Sequence, residues 1–219
     1  RARTLPGGDG RWCRPEATSS VSSIAGRLAA ARNWLPRDAV LLGVAMFCVV
    51  SATNIMPPLL PAIRDDFGVS ITTAGVIVSA FGLARLAVDL PAGFLATHIG
   101  PRRLTAAAVI LLVGSSILGL QADRVEVLIA ARIGSGLGVG ILATVILTSL
   151  SAGATAADRG KVMSLYPMAN NVGIAFYPLL GGALGTVFDW RITFAISAIL
   201  ACVAGLILLP MVHRVDVAR

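Results

Sequence analysis

The sequence predicts an all-α membrane protein, a bundle of six transmembrane helices. Six long apolar stretches fill almost the whole chain after residue 37. Only 13% of its 219 residues are charged, against about 25% in a soluble domain. Nearly all of those charges lie between the stretches. A helix needs about 20 apolar residues to cross the hydrocarbon core. Backbone groups there must be satisfied within the segment, so each stretch should be helical.

Residues 1–37 form a polar, basic tail that should be mostly disordered. Within it, Val21, Ile24, Leu28 and Ala31 stand at helical spacing, which suits a short helix on the membrane surface. An Arg-rich leader also fits a transit peptide; a cytoplasmic tail is the reading the charge favours. The bundle follows over 38–212, with spans near 39–63, 71–96, 104–122, 125–152, 162–187 and 190–210. Every connection is short, which predicts consecutive helices as antiparallel neighbours. Residues 213–219 form a cytoplasmic end or the start of a further loop.

Charge sets the orientation. With the N-terminus inside, the inner segments hold thirteen Lys and Arg, and the outer ones three: Arg64, Arg124 and Arg191. Without the tail the ratio is still six to three. Both termini should face the cytoplasm, in a cell (inner or plasma) membrane. The net charge of +7 therefore reads as topology, and no nucleic-acid partner is expected. Cys13, Cys48 and Cys202 are odd in number and lack metal-ligand spacing, so neither disulfide nor metal is expected, and no cofactor.

Three ionisable residues lie inside spans: Arg85, Asp89 and Arg132. Charge is costly there and is a functional candidate by default. Arg85 and Asp89 are four apart, share a helix face and can pair. A carboxylate so placed can take up and release a proton as its neighbour moves. A static ion pair is the plainer alternative. Arg132 precedes Gly134, Gly136, Gly138 and Gly140. Gly134/Gly138 and Gly136/Gly140 make two small-xxx-small faces for close helix packing. Arg132 could also cap backbone carbonyls or pair with Asp89.

Three segments carry a family resemblance. Gly93, Leu95, Ala96, Gly100, Arg102 and Arg103 match the loop signature G-x-L-A-D-R-x-G-R-R of the major facilitator superfamily. Arg132 with its glycines resembles that family's helix-4 motif, whose Arg is associated with proton coupling. Gly173, Pro178, Gly181 and Gly182 resemble the helix-5 motif G-x-x-x-G-P-x-x-G-G of its antiporters, with Tyr177 in place of one Gly. Pro178 removes a backbone hydrogen bond and should kink the helix. The signature's Asp and Arg are Thr97 and His98 here, a departure that bears on gating; His98 reads as a solvated loop residue. The outer sequences Asn54–Gly68 and Asp189–Phe194 resemble the family too, and Trp190 has the character of an interfacial anchor.

The resemblance covers residues 38–212 and implies the N-terminal half of a twelve-helix fold. Such proteins bind solute between two six-helix halves and rock between states. It implies a secondary active transporter, proton-coupled and exporting a small organic solute. Arg132, Asp89 and Arg85 would couple protons, and Asn170, Asn171 and Asn54 are candidate substrate contacts. Expected partners are the solute, protons, the bilayer, and a missing C-terminal half or a second copy. Arg1 in place of Met and an end soon after span 6 suggest a fragment. A non-transporting membrane scaffold or inactive half-transporter remnant is the alternative. An intramembrane enzyme is not expected: it needs a buried nucleophile with a base in reach, and His98 and His213 lie at the cytoplasmic edge.

Overall fold

The computed structural model describes residues 37–153 and 159–217. The tail and its Thr18–Asn33 segment lie outside the described residues. Among the described residues seven α-helices run in order: α1 (Arg37–Asn54), α2 (Leu60–Phe67), α3 (Ile71–Ile99), α4 (Pro101–Leu120), α5 (Val125–Gly153), α6 (Arg159–Val187) and α7 (Ile192–Val217). No strand occurs among the described residues.

The first expected span is broken in two. α1 stops at Asn54, a single 3-10 turn covers Pro57–Leu59, and α2 follows. Pro57, Pro58 and Pro61 have no N–H to continue the ladder, which is why one helix cannot run through. Gly68 ends α2 in the left-handed region at φ 61°, where glycine carries no Cβ penalty. Ser70 caps α3, its hydroxyl accepting from the Thr73 N–H at 3.2 Å. Gly100, at φ 86°, lets α4 begin at once with Pro101 in its first turn. His98 therefore belongs to the last turn of α3 and not to a loop.

Among the described residues five segments are long and apolar enough to cross a membrane: α1 with α2, then α3, α4, α5 and α7. α6 is equally long, at 29 residues. It carries Asn170, Asn171, Tyr166, Tyr177 and two prolines, which lower its hydropathy. α6 runs unbroken through Pro167 and Pro178.

The expectation that sequence neighbours pack together holds closely only for α4 and α5. The other main pairings skip along the chain: α3 with α5, α4 with α7, α1 with α6 and α1 with α7. Small residues explain the choice. A Cβ at Gly136 would fall on the Phe81 carbonyl oxygen, and one at Gly140 would come within 2.8 Å of Asp89 Oδ1, so this face meets α3. Gly134 and Gly138 instead meet Ser115, Ala108 and Leu112 of α4. Gly119 of α4 lies under the Phe194 ring of α7, and Gly205 of α7 lies against Val109 of α4. Gly173 abuts Val50, and Gly181 the Ile55 carbonyl, which seats α6 on α1. Lipid tails are as apolar as side chains, so close packing of this kind, not hydrophobic contrast, selects helix partners.

One end of the bundle is closed by Met56, Leu59, Ile63, Ile77, Ala122, Leu128, Trp190 and Phe194. Trp190 is only 5% exposed, so it does not serve as an interfacial anchor. Its Nε1 donates to Asp66 Oδ2 at 3.1 Å, and its ring lies 5.6 Å from that of Phe67. It ties α2 to the start of α7.

Gly136→Ala should destabilise the chain by about 1–3 kcal/mol, because the added methyl meets backbone that cannot rotate away. Gly114→Ala, with nothing within 4 Å of the new methyl, should be neutral or stabilise by up to about 1 kcal/mol. Thermal unfolding of both variants in detergent checks this.

Candidate functional site

The site is built on α5. Residues two apart on a helix point to opposite faces, and residues four apart share one. The glycine series thus lets α5 approach α3 on one side and α4 on the other. Arg132, two residues before it, is directed between these neighbours toward α1. It is 4% exposed.

No carboxylate neutralises it. Among the described residues its guanidinium makes no ion pair within 4 Å. Nη1 donates to the Ala52 carbonyl at 2.8 Å, and Nη2 reaches the Met56 sulfur. The rings of Phe81 and Phe194 lie 5.7 and 5.6 Å from its Cζ, near enough for cation–π attraction. Ala52 sits in the last turn of α1, where carbonyls lack intrahelical partners. A helix C-terminus also carries partial negative charge, about half an electron, that favours a cation. The broken end of α1 is therefore the counter-charge of Arg132. Of the alternatives open from sequence, the structure shows Arg132 on a backbone carbonyl and not on Asp89.

Arg85 and Asp89 make a separate cluster. Their Nε–Oδ2 distance is 3.7 Å, with side chains 28% and 41% exposed. Asp89 packs at the level of Gly140, eight residues beyond Arg132 and so about 12 Å further along α5. Tyr166 of α6 lies near enough to this pair for electrostatic interaction with both. Tyr166 was missed from sequence; the one signal was that it is one of only two tyrosines in the chain.

The asparagines are less convergent. Asn54 Nδ2 donates to the Val50 carbonyl of its own helix at 3.3 Å. Asn170 is half-buried and one turn beyond Tyr166, on the same face of α6; Asn171 is exposed. Of the residues expected to gate or pack, Gly136, Gly138, Gly140, Gly173 and Gly181 make close interhelical approaches. Gly182 has only Pro58 at 4.0 Å, and Gly93 has nothing within 4 Å. Pro178 is half-buried in α6, and Arg102 and Arg103 are exposed in the first turn of α4. His98 Nδ1 lies 3.0 Å from the Phe94 carbonyl. The described residues hold no group of three His, Cys, Asp or Glu able to bind a metal ion.

Residues 42–218 match the family model of the Major Facilitator Superfamily. The chain is 31% identical over 153 residues to the cephamycin export protein of Amycolatopsis lactamdurans, covering 69% of this chain and 32% of that protein. It is 30% identical over 186 residues to the puromycin resistance protein of Streptomyces alboniger, covering 84% and 37%. The chain thus spans about a third of the length of these curated relatives. Its fold resembles that of the peptide transporter POT, with a TM-score of 0.72 at 18% identity over 80% of this chain and 37% of that one. The human organic anion transporter MFSD10 gives 0.69 at 14% identity over 81% and 48%.

Arg132→Lys keeps the charge but loses the planar fork that reaches Ala52 and Met56 together. It should cost about 1.5–3 kcal/mol, the range for a hydrogen bond to a charged group. Asp89→Asn breaks only a half-exposed pair and should change stability by less than about 1 kcal/mol. Unfolding midpoints of the two variants against the parent chain check the contrast.

Proposed function

The chain belongs to the major facilitator superfamily, and from that membership we propose secondary active transport, namely proton-coupled efflux of a small organic solute by alternating access. The half-exposed Arg85–Asp89 pair is the observation that carries this reading. In a membrane interior such a pair is rarely structural alone. It lies on α3 between the packed α5 and the Tyr166 face of α6, so both protonation states of Asp89 have a neighbour to answer them. Protonated Asp89 releases Arg85 toward Tyr166; ionised Asp89 draws it back. A proton and a helix position are then linked, and linkage is reciprocal.

Arg132, on the counter-charge of α1, holds the frame in which that exchange happens. Asn170 shares the Tyr166 face and is the substrate contact this reading favours. The names of the relatives, an export protein and a drug resistance protein, support efflux and a small organic solute. Solute would bind against a second six-helix half, C-terminal or from a second copy. The protein would sit in the cell membrane with both termini cytoplasmic, as the Lys and Arg distribution favours.

A non-transporting scaffold is the second reading. It is favoured by Thr97-His98 standing where the family signature has Asp-Arg, with His98 bonded back to its own helix. Such a protein would assemble through its glycine faces without solute flux.

Proteoliposomes of the intact protein under an imposed pH gradient separate the two, with puromycin and chloramphenicol as probes. Gradient-driven flux should occur in the parent protein and be abolished by Asp89→Asn and by Arg132→Ala. Flux that survives both substitutions would end the coupling mechanism, and no flux in the parent would favour the scaffold.

A further inference from the structure

Arg132 leaves one nitrogen without a partner. Its Nε is buried and has no hydrogen-bond partner, whereas Nη1 and Nη2 are both engaged. An unmade hydrogen bond on a buried charged group costs more than a neutral one. The guanidinium lines a small cavity with Ser116 of α4, Ser135 of α5, and Thr193 and Ser197 of α7. The remaining walls are apolar, Met56 and Phe194 among them. Its volume is about 10 Å³ for the centre of a water molecule, which is the space of one water.

Donors and acceptors around the cavity are sorted. Ser116 donates to the Leu112 carbonyl at 2.8 Å, Ser135 to Ala131 at 2.8 Å, and Thr193 to Trp190 at 2.7 Å. Ser116 and Thr193 have thus committed their protons to nearby carbonyls and offer lone pairs inward, while Ser135 also shares a 3.0 Å bond with the Ser115 hydroxyl in which either can donate. The cavity presents one charged N–H and four hydroxyls, of which Ser197 is free to donate or accept. Room for a single water centre leaves little space for a larger anion. A water molecule accepts from Nε and donates both of its protons to hydroxyl oxygens.

We propose that this cavity is a binding site for a single structural water, which gives Arg132 Nε its partner and links α5 to α4 and α7. This inference does not rest on the proposed transport activity. It explains how a guanidinium is kept in the bundle without a carboxylate: the α1 terminus takes one nitrogen, sulfur a second, and water the third.

X-ray hydroxyl-radical labelling of the full chain in lipid nanodiscs, read by mass spectrometry, tests it. Radicals form where water is bound and attack nearby sulfur-bearing side chains, methionine among them, most readily. Met56 borders the cavity and Met46 does not, yet both are fully buried, at 1% and 0% exposure. Met56 should be labelled several-fold faster than Met46, and Ser197→Val, which fills the cavity, should bring Met56 down to the Met46 rate. Equal slow labelling of both methionines overturns the site. Equal fast labelling does so too, since it means general solvent entry. Met56 labelling unmoved by Ser197→Val places its water elsewhere. A thermal midpoint that shifts when chloride is exchanged for gluconate would assign the cavity to an anion instead. The Met56–Met46 comparison needs no variant, so it stands even where Ser197→Val does not fold.

Discussion

The guanidinium of Arg132 set against the broken end of α1 is the contact on which the bundle's architecture turns. α1 ends at Asn54, just before Pro57 and Pro58, and the carbonyls of its last turn, that of Ala52 among them, are left without helical amide partners. In hydrocarbon such groups are costly. A buried Arg without an acid is costly as well. Each satisfies the other through the 2.8 Å bond to Ala52. The glycines after Arg132 make this geometry reachable, because they let α5 lie deep between α3 and α4 and bring its side chain to α1.

That arrangement separates two uses of charge within one bundle. Arg132 is buried, multiply bonded and tied to backbone, so its surroundings change only if helices move. Arg85 and Asp89 are longer-ranged, half-exposed and supported from α6 by Tyr166. Asp89, where a proton would be taken up, lies about 12 Å along α5 from Arg132, while Arg85 packs between the two levels at Gly136. One cluster suits a fixed hinge point and the other a responsive one.

Much of this was legible in the sequence, for physical reasons particular to each feature. Hydropathy located the apolar stretches because hydrocarbon admits few alternatives to helix. The spacing of Gly134 to Gly140 disclosed two packing faces, and both are occupied, by α4 and α3. Which helices those faces would meet was not legible. Short loops suggested sequence neighbours, but close approach follows small residues, and Gly119, Gly173 and Gly181 lead to α7 and α1. Trp190 looked like an interfacial residue because composition does not reveal that Asp66, 124 residues earlier, accepts its N–H. Tyr166 escaped notice for the same reason: its meaning lies across the bundle, on Arg85 and Asp89.

The divided first span has a consequence for biogenesis. α1 and α2 are synthesised before the rest of the bundle, yet neither can settle on its own. The guanidinium that caps α1 comes from a residue 80 positions downstream of Ala52. The tryptophan that fastens α2 comes 124 positions after Asp66. Contacts so distant in sequence form late. This broken span is thus completed only after later helices, and the carbonyls at its break must be kept in contact with water or with the insertion machinery until α5 and α7 have arrived.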